Sequence, residues 1–570
     1  MLQLVTCGTL ATMAYSEHLS RAMIGWTDET DLKQQIVAIA SAAGEPRLDT
    51  ADDAAVSHTD VNPYGVNTFL QQEVDGWKVD RSMEMLREAG VRWIRQQIPW
   101  WDIETLAKGE YVNQYGHNTW EKYDRLVDAA ERQGIQILAR LDDPPPWART
   151  INTGDHHGPP DDLQDYADFV STFVSRYKGR IKYFQIWNEP NIYPEWGNRP
   201  ISARDYVEVL KTGYTAVKQA DPDAVVVAAS LAATEGMPDG TAENDLAYLQ
   251  KMYDAGASQY FDILGVQGYG LWSGPGDRRL DRINFSRPRL VRELMVRNGD
   301  EAKPMWMTEL GWIALPQDWT GNTQWGRVTE EQQASYTVEA YKRAQQEWPW
   351  LGVMFYWHFR MAHGDDPNKP MFYWAMLDPD FTPHPVYQSY SEMANKPPVL
   401  GIGQHQENDW ALEYAGTWYP TTDAAAAARS YVMSTHTGAR VSFKFHGTDM
   451  DLIAIRTPGA GRLAVTIDGS DSSANKVSVH AAGKAYIDLS APAVSYQERI
   501  PVASGLASRD HQVTLEPADA GRPVFVDAVV VNDQGPDYLK PAIGALAAAV
   551  LLAVVGVLLF RGHRTPHSAE

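Results

Sequence analysis

Eight short apolar runs alternate with longer amphipathic segments between residues 61 and 395. Each run has the length of a buried strand, and the segments between them repeat apolar residues at three-to-four spacing and stop at Gly or Pro. The runs are YGVNTF from Tyr64, VRWIRQQI from Val91, IQILARL from Ile135, YFQIWNE from Tyr183, AVVVAAS from Ala224, FDILGVQGY from Phe261, PMWMTEL from Pro304 and GVMFYWHF from Gly352. This alternation predicts an α/β fold, a (β/α)8 TIM barrel. A doubly wound open sheet is the alternative, but no glycine-rich phosphate loop follows the first run.

The pattern changes after Lys396, where apolar and polar residues alternate in short runs between turn residues. These runs are ARVSFKFHG, MDLIAIRTP, GRLAVTIDGS, ASGLASRDHQVTLE and PVFVDAVVV. Strict alternation is typical of strands with one buried face, and no long helical segment interrupts it. Residues 400–533 are therefore predicted to form a separate all-β sandwich.

An uncharged stretch of 20 residues, Pro541–Phe560, lies near the C-terminus. A helix of this length spans about 30 Å, the thickness of the hydrocarbon core of a bilayer. A buried core helix is the alternative, but such a helix normally keeps a polar face and this segment has none. Arg561 and Arg564 follow it, so the positive-inside rule predicts a transmembrane helix over 541–560, a cytoplasmic tail over 561–570 and an extracytoplasmic chain before them.

Residues 1–60 are predicted to be a leader and an acidic linker, rich in Ala, Asp and Thr between Glu45 and Asp60. An extracytoplasmic chain needs an export signal, but no Lys or Arg precedes Arg21. We therefore expect a weak or truncated signal.

The net charge and the cysteine count exclude several classes of protein. The chain of 570 residues has 73 acidic and 50 basic side chains, a formal charge of −23. That charge repels phosphate backbones, so nucleic acid is not an expected partner. The single cysteine, Cys7, cannot form an intramolecular disulfide or a cysteine metal site.

Two carboxylates follow apolar runs at positions where a barrel carries its chemistry. Glu189 lies in WNEPN, which closes the fourth run, and Glu309 lies in TELGW, which closes the seventh. Reacting groups of such barrels lie at the carboxyl ends of the strands, and strands four and seven face one another across the mouth. Two facing carboxylates can cleave a glycosidic bond, one as general acid and one as nucleophile or base.

The strings FQIWNEPN and KPMWMTELGW resemble those of clan A retaining glycoside hydrolases, in particular family 39 and related cellulase-like barrels. The resemblance extends across the barrel. It implies that Glu189 is the acid/base and that Glu309 is the nucleophile.

The same resemblance implies four substrate-binding or supporting residues. Asn188 would hydrogen-bond the sugar 2-hydroxyl, while Arg95, at the end of strand two, and Tyr269, after strand six, would hold the nucleophile charged. Trp357, at the end of strand eight, would be the platform under the scissile sugar. A structural ion pair is the alternative for Arg95, and packing of the mouth is the alternative for the two aromatic residues. Where relatives often have His, this chain has Gln267.

The β-rich region resembles the jelly-roll domains appended to many secreted glycosidases, through GRLAVTIDGS and VFVDAVVV. The region is therefore either a carbohydrate-binding module or a structural spacer.

His156 and His157 lie in the polar loop TGDHHGPP. Because no third metal ligand is nearby, the pattern favours a solvated turn over a metal site. No metal and no cofactor are expected.

These inferences together predict a membrane-anchored, extracytoplasmic retaining β-glycosidase that hydrolyses a polysaccharide or an oligosaccharide. An anchored, non-catalytic carbohydrate-binding protein is the alternative, although it would need neither Glu189 nor Glu309. Transglycosylation is a third possibility, because it shares the covalent intermediate of hydrolysis.

Overall fold

The computed structural model describes residues 48–533 apart from 53, 150–156, 363–365, 478 and 482–483. The described chain divides into two compact units. The first contains the chain up to Pro398 with 403–413 and 422–430, and the second contains the remainder. The predicted leader up to residue 47, the transmembrane helix at 541–560 and the tail at 561–570 lie outside the described residues. Among the residues described, no helix is long and apolar enough to span a bilayer.

The first unit is built around a closed barrel of eight parallel strands, which confirms the predicted barrel. The strands pair in chain order, and β8 closes the barrel on β1. Their bounds are β1 (Tyr64–Thr68), β2 (Trp93–Pro99), β3 (Gln136–Asp142), β4 (Tyr183–Ile186), β5 (Val225–Ala228), β6 (Ile263–Tyr269), β7 (Met305–Gly311) and β8 (Leu351–Tyr356).

Eight α-helices belong to the described part of this unit. They are α1 (Gly76–Glu88), α2 (Trp120–Gln133), α3 (Leu163–Arg176), α4 (Ala203–Ala220), α5 (Asp245–Asp254), α6 (Arg287–Arg297), α7 (Glu330–Glu347) and α8 (Pro385–Ala394). Local sequence sets their ends. Thr329 and Gln332 form a capping box at the start of α7, and Gly134 ends α2 in the left-handed conformation that glycine adopts without steric cost.

Aromatic side chains fill the barrel interior beneath the mouth. The rings of Trp93, Tyr183 and Trp306 lie 4.8 to 5.0 Å apart, centroid to centroid. Successive side chains of a strand alternate between its two faces, so residues two positions further along share the inner face. Arg95 follows Trp93 and Gln185 follows Tyr183 in this way, which places both polar side chains in the layer above the aromatic rings.

The second unit is built from antiparallel strand pairs, which confirms an all-β region after the barrel. A short strand of the first unit, β9 (Gly403–Gln406), precedes it. The following strands are β10 (Glu413–Ala415), β11 (Tyr419–Thr422), β12 (Ser430–Ser434), β13 (Arg440–Gly447), β14 (Asp449–Arg456), β15 (Arg462–Ile467), β16 (Val479–Ala481), β17 (Lys484–Asp488), β18 (Ser495–Ala503), β19 (Arg509–Pro517), β20 (Val524–Val526) and β21 (Ala528–Asn532).

These strands form sheets with the orders β10-β13-β19-β15-β17-β16, β11-β12-β20 and β18-β14-β21. Their inner faces are apolar at every second position, as in β13, where Val441, Phe443 and Phe445 are buried. The predicted run PVFVDAVVV forms two strands, β20 and β21, which are separated by the buried Asp527. The two strands belong to different sheets.

Candidate active site

Arg95 lies at the centre of a hydrogen-bond network in the barrel mouth. Its side chain is 2% exposed and projects from the third residue of β2, short of the strand end that the sequence predicts. The guanidinium donates to Gln185 at 2.7 Å, to Asn67 at 2.9 Å, to Asn188 at 2.8 Å and to Glu309 at 2.9 Å. This network joins strands β1, β2 and β7 to β4 and the residues that follow it. The geometry therefore ties Arg95 directly to two of the predicted site residues.

Glu309 is held by donors on both of its oxygens. It lies within β7 and is 4% exposed. Arg95 donates to Oε1, while the Tyr269 hydroxyl donates to Oε2 at 2.7 Å and Gln267 donates to the same oxygen at 3.3 Å. Burial and the charge of Glu309 raise the pKa of Tyr269 well above its ordinary value, so the phenol stays protonated and keeps donating. The three donors therefore fix the direction of both carboxylate oxygens.

Glu189 follows β4 on a sharply turned backbone. Its own φ is +39° and that of Trp187 is +72°, in the left-handed region that non-glycine residues seldom occupy. The turn is fixed from the next loop, because the Glu189 amide donates to the Ser230 carbonyl at 3.0 Å. Such backbone conformations cost about 1–3 kcal/mol each and cluster at functional sites.

The electrostatic environment favours a protonated Glu189. Burial, the charge of Glu309 and the charge of Glu195, in that order, raise its pKa to about 8. Gln267 and Arg95 act in the opposite direction and favour the carboxylate. The environment of Glu189 is therefore that of a carboxyl group able to act as an acid near neutral pH.

One amide nitrogen lies between the two carboxyl groups. Gln267 Nε2 donates to Oε1 of Glu189 and, at 3.3 Å, to Oε2 of Glu309. Two oxygens that accept from one nitrogen lie no more than about 6 Å apart. The structure therefore brings together the two carboxylates that the sequence places on different strands.

Trp357 lies at the mouth directly after β8 and is half-buried. Its ring meets Phe69 edge-on, with centroids 5.4 Å apart. Tyr269 and Trp357 both pack against a small apolar cluster of Ile313, Leu315 and Trp374. Both aromatic residues therefore pack the mouth, and Tyr269 also contacts the carboxylate.

Sequence reasoning missed two residues that hold the network in place. Asn67, in β1, accepts from Arg95 and donates to the Thr308 carbonyl at 2.9 Å. Gln185, in β4, accepts from Arg95 and donates to the Trp187 carbonyl at 3.1 Å. Both are polar residues inside buried parallel strands, and that interruption of an apolar run is the signal that could have found them.

A second charged cluster adjoins the network on the side of Glu189. Asp143, directly after β3, is paired with His157 at 2.9 Å, and this hydrogen bond raises the pKa of His157 to about 9. Glu195 lies 4.0 Å from the same imidazole, and burial raises its pKa. His157 thus pairs with carboxylates, whereas His156 lies outside the described residues. In the described part of the chain, no group of three His, Cys, Asp or Glu side chains could hold a metal ion.

The Arg95 network predicts a large loss of stability in the variant Arg95→Met. The change leaves Glu309 with a buried charge and removes the donor for three amide oxygens, so we expect the free energy of unfolding to fall by about 3–5 kcal/mol. Thermal unfolding of the variant followed by circular dichroism measures this loss. Arg180→Met is the control, since Arg180 makes ion pairs with Asp128 and Glu131 on the surface that are worth about 1 kcal/mol or less. Equal melting temperatures for the two variants would contradict a central role for Arg95.

Residues 54–260 match the family model of cellulases, glycosyl hydrolase family 5. The matched segment includes Arg95, Asn188 and Glu189 and ends before β6. The chain carries a glycoside hydrolase domain. The match confirms the resemblance to clan A glycoside hydrolases on a segment that contains the string around Glu189. No curated protein sequence gives a significant match to this chain.

Solved glycoside hydrolase structures show a distant likeness to this glycoside hydrolase. A family 39 glycoside hydrolase from Bacteroides cellulosilyticus WH2 is 18% identical over 83% of each chain, with a TM-score of 0.46. A family 39 β-xylosidase from Caulobacter crescentus is 16% identical over 83% of this chain and 99% of its own, with a TM-score of 0.43. A subfamily 5_18 protein from Streptomyces cattleya is 13% identical over 60% of this chain and 83% of its own, with a TM-score of 0.44. All three TM-scores lie below 0.5, so the assignment of a glycoside hydrolase domain rests on the family match over residues 54–260.

Proposed function

We propose that this glycoside hydrolase is a retaining β-glycosidase that cleaves a polysaccharide or an oligosaccharide by double displacement. The observation that carries the proposal is the pair Glu189 and Glu309, whose oxygens share the Gln267 amide. Carboxyl groups are about 5–5.5 Å apart in retaining glycosidases and about 6.5–9.5 Å apart in inverting ones. A shared hydrogen-bond donor supports the shorter separation, which leaves no room for a water molecule between nucleophile and sugar.

In the first step, Glu309 attacks the anomeric carbon of the sugar and Glu189 donates its proton to the leaving oxygen. The bond from carbon to the leaving oxygen breaks as the bond from carbon to Glu309 forms. Arg95 and Tyr269 support the assignment of Glu309 as nucleophile, because Arg95 pairs with the carboxylate and the two hydrogen bonds fix its direction. The raised pKa of Glu189 supports its assignment as the acid.

In the second step, Glu189 is a carboxylate and takes a proton from a water molecule that attacks the same carbon. Glu309 departs as a carboxylate, so the product keeps the configuration of the substrate. Asn188 accepts from Arg95 through its amide oxygen, which turns its nitrogen away from the guanidinium. We assign that nitrogen to the sugar 2-hydroxyl, and we assign Trp357 as the apolar platform beside the sugar ring.

A panel of activated aryl β-glycosides and soluble polysaccharides tests the proposal with the purified full-length chain. We expect turnover of at least one sugar and loss of that turnover in both Glu189→Ala and Glu309→Gln. Binding of a polysaccharide without turnover by the unmodified chain would instead indicate a carbohydrate-binding protein.

The raised pKa of Glu189 predicts that the rate of the first step falls at alkaline pH. We call this fall of kcat/KM with rising pH the alkaline limb. The acid must be protonated to act, so kcat/KM should fall about tenfold per pH unit above pH 8, whereas an ordinary carboxyl group with a pKa near 4.3 would already be charged below pH 6. A pH profile of kcat/KM on an aryl glycoside with a poor leaving group measures the limb. A 2,4-dinitrophenyl glycoside is the control, because its leaving group needs no proton and the limb should vanish. A limb centred below pH 6 on the poor leaving group would contradict the assignment of Glu189.

A further inference from the structure

Gln267 is a buried residue with an unusual position between two carboxyl groups. It is 3% exposed and lies on β6. Its Nε2 donates to Glu189 and to Glu309, while its Oε1 accepts from the Ala233 amide at 3.4 Å. If the Gln267 amide were turned over, its oxygen would face two carboxylates and be repelled by both. The charges of the site and the hydrogen bond from the Ala233 amide therefore favour the same orientation of the Gln267 amide.

A bulge between β6 and β7 places Gln267 beside Glu309. Val266 pairs with Met307, but Gln267 pairs with Glu309, so Thr308 is an extra residue on β7. An extra residue of this kind re-aims the side chains that follow it. The close approach of the amide to Glu309 is therefore built into the strand pairing.

We propose that Gln267 is a positioning residue that donates one N–H to each glutamate and supports whichever of them carries the negative charge at each stage. This inference rests on the proposed double displacement. Before the first step the charge is on Glu309, and in the covalent intermediate it is on Glu189. A primary amide suits this alternation, because it offers two N–H groups on one nitrogen and stays neutral at every pH.

The same hydrogen bond fixes which oxygen of Glu189 carries the proton. Oε1 accepts from the Gln267 amide, so the proton of the acid form resides on Oε2. We therefore assign Oε2 to the leaving oxygen in the first step and to the attacking water in the second. An acid whose proton could occupy either oxygen would be correctly oriented for only part of the time.

Several charged and titratable groups act on Glu189 besides Gln267. Glu309 on β7 and Glu195 in the loop after β4 raise its pKa, whereas Arg95 on β2 lowers it. The hydroxyl of Tyr269 on β6 stays protonated beside the same pair.

Further charged groups act indirectly, through Glu195. Arg140, His157 and Asp143 each act on the pKa of that carboxyl group. All of these groups stay in place when only Gln267 is replaced, so the effect of its amide can be isolated.

Gln267→Met tests the inference because methionine has a similar length and donates no hydrogen bond. Without its donor, the charged form of Glu189 is less stable, so its pKa rises and the alkaline limb of kcat/KM should move up by roughly one pH unit. At the optimum pH, kcat/KM should fall roughly 10- to 100-fold. Gln267→His restores an N–H donor and should return the limb toward that of the unmodified chain.

Gln333→Met is the matched control. Gln333 is equally buried on α7, and its amide donates to the Trp312 and Tyr373 carbonyls at 2.7 and 3.0 Å. Replacement of Gln333 by methionine should leave the pH of the alkaline limb unchanged.

Gln267→Asn is a second variant in case Gln267→Met fails to fold. Asparagine keeps the amide but is too short to reach both carboxylates, so the alkaline limb of kcat/KM should also move to higher pH.

The titration of Glu189 can also be followed without a substrate, by carbon-13 NMR of glutamate-labelled full-length chain, with the resonance assigned by its loss in Glu189→Gln. We expect the midpoint to rise by about one pH unit in Gln267→Met. An unchanged midpoint, or an unchanged limb in an active enzyme, would overturn the role of Gln267 and leave the double displacement intact. Absence of any turnover that depends on Glu189 and Glu309 in the unmodified chain would instead overturn the proposed function.

Discussion

Glu309→Gln is expected to lower kcat/KM on an aryl β-glycoside by about 10⁴-fold or more. The amide is nearly isosteric, but it is a poor nucleophile and cannot carry the charge that Arg95 and Tyr269 are placed to support. The fold should survive, because glutamine keeps the shape of the side chain: its amide oxygen can accept from Arg95, and its amide nitrogen can donate to the Tyr269 hydroxyl oxygen. Steady-state kinetics, with circular dichroism as the check on folding, measures the effect.

Glu347→Gln is the matched control for this prediction. Glu347 is also an ion-paired glutamate of the first unit, held by Arg278 and Arg343 at the end of α7. Its replacement removes an ion pair with two arginines that bond to none of the residues of the proposed site, so we expect kcat/KM to change only a few-fold. Comparable losses in the two variants would mean that Glu309 is a structural ion-pair partner and no nucleophile.

Glu189→Ala is expected to lower kcat/KM by about 10²–10⁴-fold on substrates whose leaving group needs a proton. On a 2,4-dinitrophenyl glycoside the first step should proceed, and the covalent intermediate should then accumulate because no base activates water. The truncated side chain leaves space at the mouth for azide. Azide should therefore restore turnover and yield the β-glycosyl azide, whose configuration NMR determines.

Glu195→Ala is the control for the azide experiment, because Glu195 is a neighbouring carboxyl that acts on Glu189 only through its charge. Azide should not accelerate that variant. An α-glycosyl azide from Glu189→Ala would contradict retention, and azide acceleration of Glu195→Ala in its place would reassign the acid/base.

The barrel could be predicted from the sequence because parallel strands buried on both faces leave continuous apolar runs. All eight runs form strands, and Glu189 and Glu309 lie near the strand ends, as the pattern predicts. The strands of the second unit were found where alternation was strict, as in β13, and missed where they were short and exposed, as in β10 and β11.

The details of the site depend on features that leave little trace in a sequence. The extra residue Thr308 changes the register between β6 and β7, and no local pattern marks it. Gln267 is visible only as a departure from the resemblance, and its contact with both carboxylates follows from that register. The left-handed conformations of Trp187 and Glu189 depend on contacts with other loops and not on local propensity.

The measurement that tests the central claim most directly is covalent trapping of the nucleophile. The full-length chain would be treated with the 2-deoxy-2-fluoro β-glycoside of the sugar that the panel identifies, digested and sequenced by mass spectrometry. The account predicts one glycosyl adduct on the peptide that contains Glu309, and its absence in Glu309→Gln. An adduct on another residue, or unimpeded turnover with inversion of configuration, would contradict it.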